Sequence, residues 1–231
     1  MSLKNGVDLE HFRPRPPDHS LAASLGIDPD SLCIGSCAGT GAYKRIDLMI
    51  EAARRLQPGR PVTIIVLGNA VSGKAYEERA QRAGLDRFIY AGFHQDVRPY
   101  VSLFHVGFIL SDRIETISYA AREMMAMGRP LISSSFSGLK DNVRDGVDGW
   151  LVRPGNVKDI VHVLERLRKM PPQELHGFGL RARQAAEERF DMRQQLRKHA
   201  DLYTSLVEGT SQRDVDWGDS RTTSPVAAKL F

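Results

Sequence analysis

The sequence predicts a three-layer α/β domain, a parallel sheet of about six strands with helices on both faces, and three observations carry that expectation. Short apolar, β-branched runs alternate with longer segments of helical periodicity, the pattern of strands joined by crossover helices. Several of the runs are apolar almost throughout, as a strand buried on both faces requires. With 231 residues, 42% of them hydrophobic, the chain can bury one sizeable core and fits one domain.

Strands are expected at 32–37, 62–67, 88–91, 106–110, 130–134 and 150–152. The Pro- and Arg-rich segment 13–18 reads as an extended entry to them. Segment 45–56 sets Ile46, Met49, Ile50, Ala53 and Leu56 on one helical face. Helices follow at 76–83 and 97–104. Segment 118–127 is a helix of small residues, stopped by Gly128, which can take the left-handed cap conformation, ahead of Pro130. From 157 to 207 the pattern is largely helical, broken at Pro171-Pro172. The domain is therefore expected to span 1–208. Beyond it Ser, Thr, Asp and Gly dominate and apolar periodicity vanishes, so 209–231 reads as a disordered tail.

The apolar runs fall far short of the ~20 residues that cross a bilayer, and residues 1–4 begin no secretion signal. A cytoplasmic location is the expectation. Cys33 and Cys37, read as lying on one strand, would hold their sulfurs roughly 13 Å apart, which excludes a mutual disulfide and leaves two small core residues. The net charge of +4 permits attraction to phosphates, nucleic acid or anionic lipid without choosing among them. Much of the excess, including Arg166, Arg168, Arg183 and Arg189, is dispersed among acids on late helices and reads as a solvated face. No nucleic-acid partner is expected.

Open parallel sheets bind ligands beyond the carboxyl ends of their strands, where helix N-termini offer free N–H groups. Gly35-Ser36-Cys37-Ala38-Gly39-Thr40-Gly41-Ala42-Tyr43-Lys44 supplies glycines, small polar residues and a lysine between the first strand and its helix. Such a loop lets backbone approach a diphosphate, with Lys44 as counter-charge. It matches no standard phosphate-loop spacing, and a plain flexible turn is an equal reading. A stronger signal is the run from Glu115 through Thr116, Ile117 and Ser118 to Glu123. The amides of 116–118 would open a helix with Glu115 beside them, and Glu123 would lie about 12 Å further along on a similar face. That separation suits two hydroxyl-rich parts of one long ligand better than a pair of carboxylates sharing a proton. The plain alternative makes Glu115 an acidic first-turn residue and Glu123 a surface ion-pair partner. His94 and His105 read as solvated or structural, and Phe108 and Trp150 as core.

Taken in order, Asn5-Gly6-Val7-Asp8, the Lys44 helix, Leu67-Gly68, Gly92-Phe93 with Asp96-Val97, the two glutamates with Met127-Gly128-Arg129-Pro130, segment 138–143, and Asp145-Gly146-Val147-Asp148-Gly149 with Pro154-Gly155 resemble the C-terminal domain of retaining, GT4-like (group 1) glycosyltransferases. The match runs from about residue 4 to residue 207. It implies a Rossmann-like domain, one half of a GT-B fold, whose partner is an N-terminal acceptor-binding domain. It also implies a nucleotide-sugar substrate carried on UDP or GDP, with no further cofactor and no dedicated metal site.

Position by position, the resemblance assigns Lys44 to the diphosphate and Glu115 to hydroxyls of the transferred sugar, as the catalytic pair. The backbone of Thr116, Ile117 and Ser118 would lie near sugar and phosphate, and Glu123 would take the ribose hydroxyls. Gly35, Ser36 and Gly39 would border the phosphates and Gly68 would close against the nucleotide. The loop from Gly92 to Val97, with Phe93, would border the base. Two departures stand out. The family's usual Gly-Arg pair after the first strand has Gly39 in the arginine's place, unless a longer loop aligns Gly35-Ser36 with it; Arg45, on a helix, would point elsewhere. Thr116 replaces the commoner glycine.

The implied activity is transfer of a sugar with retention, by front-face displacement, in surface-glycan or lipopolysaccharide synthesis. The domain alone is expected to be nearly inactive, and peripheral membrane contact is expected only of a full-length enzyme. The alternatives are a noncatalytic nucleotide-sugar-binding module completed by a partner, and a nucleotide-sugar epimerase on the same scaffold.

Overall fold

The computed structural model describes residues 5–85, 87–113, 115 and 117–207. The expected tail at 209–231 and Thr116 lie outside them. Six strands, β1 Leu32–Ser36, β2 Val62–Leu67, β3 Phe88–Gly92, β4 Val106–Ile109, β5 Leu131–Ser134 and β6 Gly149–Val152, form one parallel sheet in the order β3-β2-β1-β4-β5-β6. Each expected strand is present, β2 with both ends as expected and the others with one end moved by one residue. Cys37, expected on the first strand, lies just past it, and both cysteines are free.

Eight helices are described: α1 His19–Ser24, α2 Ile46–Arg54, α3 Ala70–Arg82, α4 Arg98–Leu103, α5 Tyr119–Ala126, α6 Val157–Lys169, α7 Pro172–Phe190 and α8 Met192–Val207. Ile46, Met49, Ile50 and Ala52 of α2 pack with Ile160, Leu164 and Leu167 of α6 on one face of the sheet. Met124 and Met125 of α5, with Ala182, Ala185 and Phe190 of α7, cover the other. Burying side chains of this size contributes about 1.5–3 kcal/mol each. Phe108 and Trp150 are core residues, as expected.

Three expectations need correction. The helix expected at 76–83 starts six residues earlier, because Gly73 serves as a packing residue: a Cβ there would lie 2.1 Å from the Tyr90 ring. The long helical region breaks a second time, at Asp191, which caps α8 by accepting from the amide of Arg193 (2.9 Å). There the chain's first described residues are clamped: Val7 donates to the Phe190 carbonyl (2.7 Å) and accepts from Met192 (3.1 Å), and a Cβ on Gly6 would meet the Met192 Cα at 2.2 Å. Finally, several late arginines are structural ties. Arg168 donates to the carbonyls of Gln57 and Arg60, and Arg183 to those of Phe12 and Ala126; Arg189 donates to the carbonyls of Asp141 and Asn142. A guanidinium satisfies several loop carbonyls at once, which alternation of charge along a helix does not reveal.

The order 3-2-1-4-5-6 reverses direction between β1 and β4. The loops leaving those two neighbours diverge and open a crevice at their carboxyl ends, the place where such sheets bind ligands.

Candidate functional site

Two loops line the crevice. The loop after β1 begins at buried Ser36, whose Oγ accepts from the Ala38 amide (3.4 Å). It turns at Gly39 (φ 86°), where the left-handed conformation favours glycine. Thr40 follows, anchored by its hydroxyl to the Asn69 carbonyl (3.0 Å). Gly68, at the end of β2, lies against this loop so closely that a Cβ would sit 2.8 Å from the Thr40 amide nitrogen. A short 3-10 turn at Ala42–Lys44 then delivers Lys44, and α2 begins.

The loop after β4 is stitched to that turn. Asp112 donates its amide to the Tyr43 carbonyl (3.4 Å) and pairs through its carboxylate with Arg45. Arg45 is left-handed (φ 53°) at the start of α2 and also bonds Asp47 (3.1 Å). The sequence placed Arg45 inside a helix pointing away. Its left-handed backbone instead turns it toward the β4 loop, where carboxylates hold its charge, raising its pKa by hydrogen bonds to Asp47 and Asp112.

Lys44 and Glu115 meet across the crevice at 2.5 Å, and the Ser111 hydroxyl donates to the same carboxylate oxygen at 2.9 Å. Lys44 Nζ also lies 4.8 Å from the centre of the Tyr43 ring. Glu115 is only 8% exposed, so it is no solvated first-turn residue.

Past the crevice Ser118 caps α5, its Oγ accepting from the Ala121 amide (3.3 Å). The amides of the helix's first residues, Tyr119 and Ala120, have no helical acceptor and carry the positive end of the helix dipole. Ile117 is half-buried beside them.

Glu123 stands one turn further in. It is half-buried, its carboxylate makes no ion pair or hydrogen bond with any described residue, and burial raises its pKa above the ordinary value. Burial first, and the charge of Glu123 second, push the neighbouring Cys37 thiol up to about 12, so that thiol is inert at neutral pH. The reading of Glu123 as a surface ion-pair partner is therefore corrected.

The remaining expected residues divide. Gly35 is inside β1, where a Cβ would lie 2.2 Å from the Phe104 ring, so the structure gives it a packing role away from the loop. Phe93 projects 79% exposed from the β3–α4 loop, with Val97 half-buried at the start of α4. His94 is bonded to the Ala91 carbonyl (2.7 Å) and stacked on Tyr100. His105 accepts from the Cys33 amide (2.9 Å).

Sequence reasoning missed Ser111, Asp112 and Arg122. Buried Arg122, on α5, donates to the Asn5 carbonyl and to Asn142 Oδ1 (3.2 Å) and lies over the Phe190 ring. It ties the helix to the Asn-Gly-Val-Asp segment. The signal available was an arginine among small residues on a buried helix, which needs partners when it is desolvated.

A family model described as glycosyl transferases group 1 matches residues 28–169, more than half of the chain.

The chain belongs to the group 1 glycosyl transferases.

It is 30% identical over 217 residues to the D-inositol 3-phosphate glycosyltransferase of Streptomyces bingchenggensis, covering 88% of this chain and 47% of that protein. The fold is also that of Anabaena Alr3699/HepE, solved with UDP and glucose: TM-score 0.80, 23% identity, 88% of this chain and 56% of that one. The C-terminal domain of LpcC, a group 1 family protein of Francisella tularensis, matches over 81% of this chain and its own full length, with TM-score 0.69 and 22% identity. The chain spans about half the length of the curated relatives it matches. The glycosyltransferase assignment and the Rossmann-like fold expected from the sequence both stand. Among the described residues, no helix is long and apolar enough to cross a membrane.

Proposed function

We propose that this domain holds the nucleotide-sugar donor of a retaining glycosyltransferase, and that an acceptor-binding domain supplies the other wall of the cleft. One observation carries the reading. The Lys44–Glu115 pair sits at the mouth of α5, with the Glu123 carboxylate, which no described residue partners, further in on that helix. A cation, free amides and two carboxylates in that order match a diphosphate flanked by two polyhydroxylated groups.

In this reading the diphosphate draws Lys44 from Glu115, and the freed carboxylate accepts hydroxyls of the sugar. Glu123 accepts the ribose hydroxyls. As the glycosidic bond breaks, negative charge builds on the leaving diphosphate. Lys44 and the α5 amides are already aimed at it and stabilise it electrostatically. The base rests near Phe93 and Val97. UDP and GDP are the candidate carriers, and the UDP held by HepE makes uridine the first to try. The acceptor belongs to surface-glycan synthesis, and the whole enzyme works on the cytoplasmic side, at the inner membrane face.

Isothermal titration of the domain with UDP, GDP and ADP, then with their sugar conjugates, tests the reading. One diphosphate is expected to bind in preference to the others. Absence of binding by all three at millimolar concentration refutes it.

A further inference from the structure

We propose that the opposite edge of the sheet carries a second ligand site: a cleft under Arg60, His105 and Arg129 that binds a phosphate monoester or an equivalent small dianion. His105 directly precedes β4, and Arg60 and Arg129 stand two residues ahead of β2 and β5, so all three lie at the strands' amino ends, roughly 15 Å of strand from the crevice above. The cleft encloses about 500 Å³, and an adjoining recess of about 330 Å³ shares Pro17, His105 and Arg129 with it.

The donors bordering the cleft are only partly used by the described residues. Arg129 is deeply set. One terminal nitrogen donates to the Ser102 carbonyl (3.1 Å), and its buried Nε has no partner among the described residues. Arg60 donates from Nε to the Asp30 carbonyl (2.9 Å), and no described residue accepts from its terminal N–H groups. His105 accepts the Cys33 amide at Nδ1 (2.9 Å), so the neutral ring carries its proton on Nε2, where no described residue accepts it. The ring is neutral because burial, with Arg60 and Arg129 beside it, pushes its pKa down to about 4.

Among the described residues no carboxylate lines the larger cleft, which Arg15 and Arg183 also border, and Asp28 of the adjoining recess is paired with Arg87 (2.8 Å). Arg183 is committed to backbone carbonyls and to an ion pair with Glu187 (2.6 Å), so its charge is already compensated. Buried cations are ordinarily paired, and here burial without a pair lowers even the pKa of Arg129, to about 10. A dianion bridging Arg60, Arg129 and the Nε2–H of His105 supplies the missing counter-charge through charge-assisted hydrogen bonds. The facing wall of Pro14, Pro17, Met127 and Leu180 suits a compact, weakly polar body attached to the phosphate.

The test is an NMR titration of the domain with inorganic phosphate, following the imidazole signals of His105, with those of His94 as the control beside the crevice. A saturable shift of His105 with His94 unmoved is expected. Arg60→Gln and Arg129→Gln are each expected to weaken it roughly tenfold. If Arg129→Gln does not fold, Arg60→Gln decides alone, since its side chain gives up one bond to a loop carbonyl. A motionless His105, or wild-type affinity in Arg60→Gln, overturns the proposal. Sedimentation with phosphatidylcholine vesicles containing phosphatidic acid separates the sources: binding to vesicles without a response to free phosphate assigns the surface to a membrane and overturns the small-ligand site.

Discussion

The surroundings of Glu115 and Glu123 differ more than any other pair of neighbourhoods in the crevice. Glu115 is buried yet engaged, one carboxylate oxygen held by both Lys44 and Ser111. Glu123, on the same segment, is desolvated and has no partner among the described residues. One carboxylate is stabilised by a lysine that an arriving diphosphate must take from it. The other bears an unrelieved desolvation cost that hydroxyl groups of a ligand would lift. The two acids therefore report different events, exchange of an ion pair and filling of a vacancy, and substitutions should separate them.

The largest effect is expected at Lys44. Lys44→Ala should weaken nucleotide binding on the order of 100-fold. It should also cost about 1–3 kcal/mol of stability, because it strands a buried carboxylate. Adding Glu115→Gln should restore the stability, read by denaturant unfolding, without restoring binding. Recovery of both would mean that the lysine does not touch the ligand.

Glu123→Ala should weaken binding roughly ten- to a hundredfold, the worth of hydrogen bonds to a charged acceptor, without destabilising the free domain. Glu123→Gln sharpens this through pH. Burial raises the pKa of Glu123 above 4.5, so the folded state holds the proton more tightly than the unfolded chain does. Its contribution is thus favourable at acid pH and is lost as pH rises through the folded-state value. Glu123→Gln should accordingly raise the melting temperature at neutral pH relative to wild type, and the gain should shrink on acidification. A loss of stability at neutral pH would reveal a partner and erase the contrast with Glu115.

The smallest effect belongs to Arg45. Its left-handed backbone favours glycine, while its side chain ties α2 to Asp112 on the Glu115 loop. In Arg45→Gly the two influences oppose each other, and stability should change by no more than about 1 kcal/mol. Nucleotide affinity should fall less than in Lys44→Ala, since only the loop's position is loosened. Titration against the same nucleotide measures the difference.

Much of this was legible in the sequence, for reasons that particular residues make plain. The six strands announce themselves because each is a short apolar run with a turn signal nearby, and Gly128 (φ 73°) ends α5 as its position before Pro130 predicts. The break at Asp191 was hidden, since neither proline nor glycine marks it. The start of α3 at Ala70 was hidden because the partner of Gly73, the Tyr90 ring, is remote in sequence. The same reason governs the site. Lys44 and Glu115 could be picked out separately as chemically apt groups, but their contact spans 71 residues and that of Arg45 with Asp112 spans 67. No local periodicity encodes such pairings; they follow from β1 and β4 being neighbours in the sheet.

The central claim is that the diphosphate exchanges places with Glu115 on Lys44. A crystal structure of this domain with whichever nucleoside diphosphate binds tests it most directly. The account predicts Lys44 Nζ bonded to a phosphate oxygen and released from Glu115, the α5 amides facing the same phosphate, and Glu123 accepting the ribose hydroxyls. A bound nucleotide with the Lys44–Glu115 pair intact and Glu123 still without a partner would contradict it.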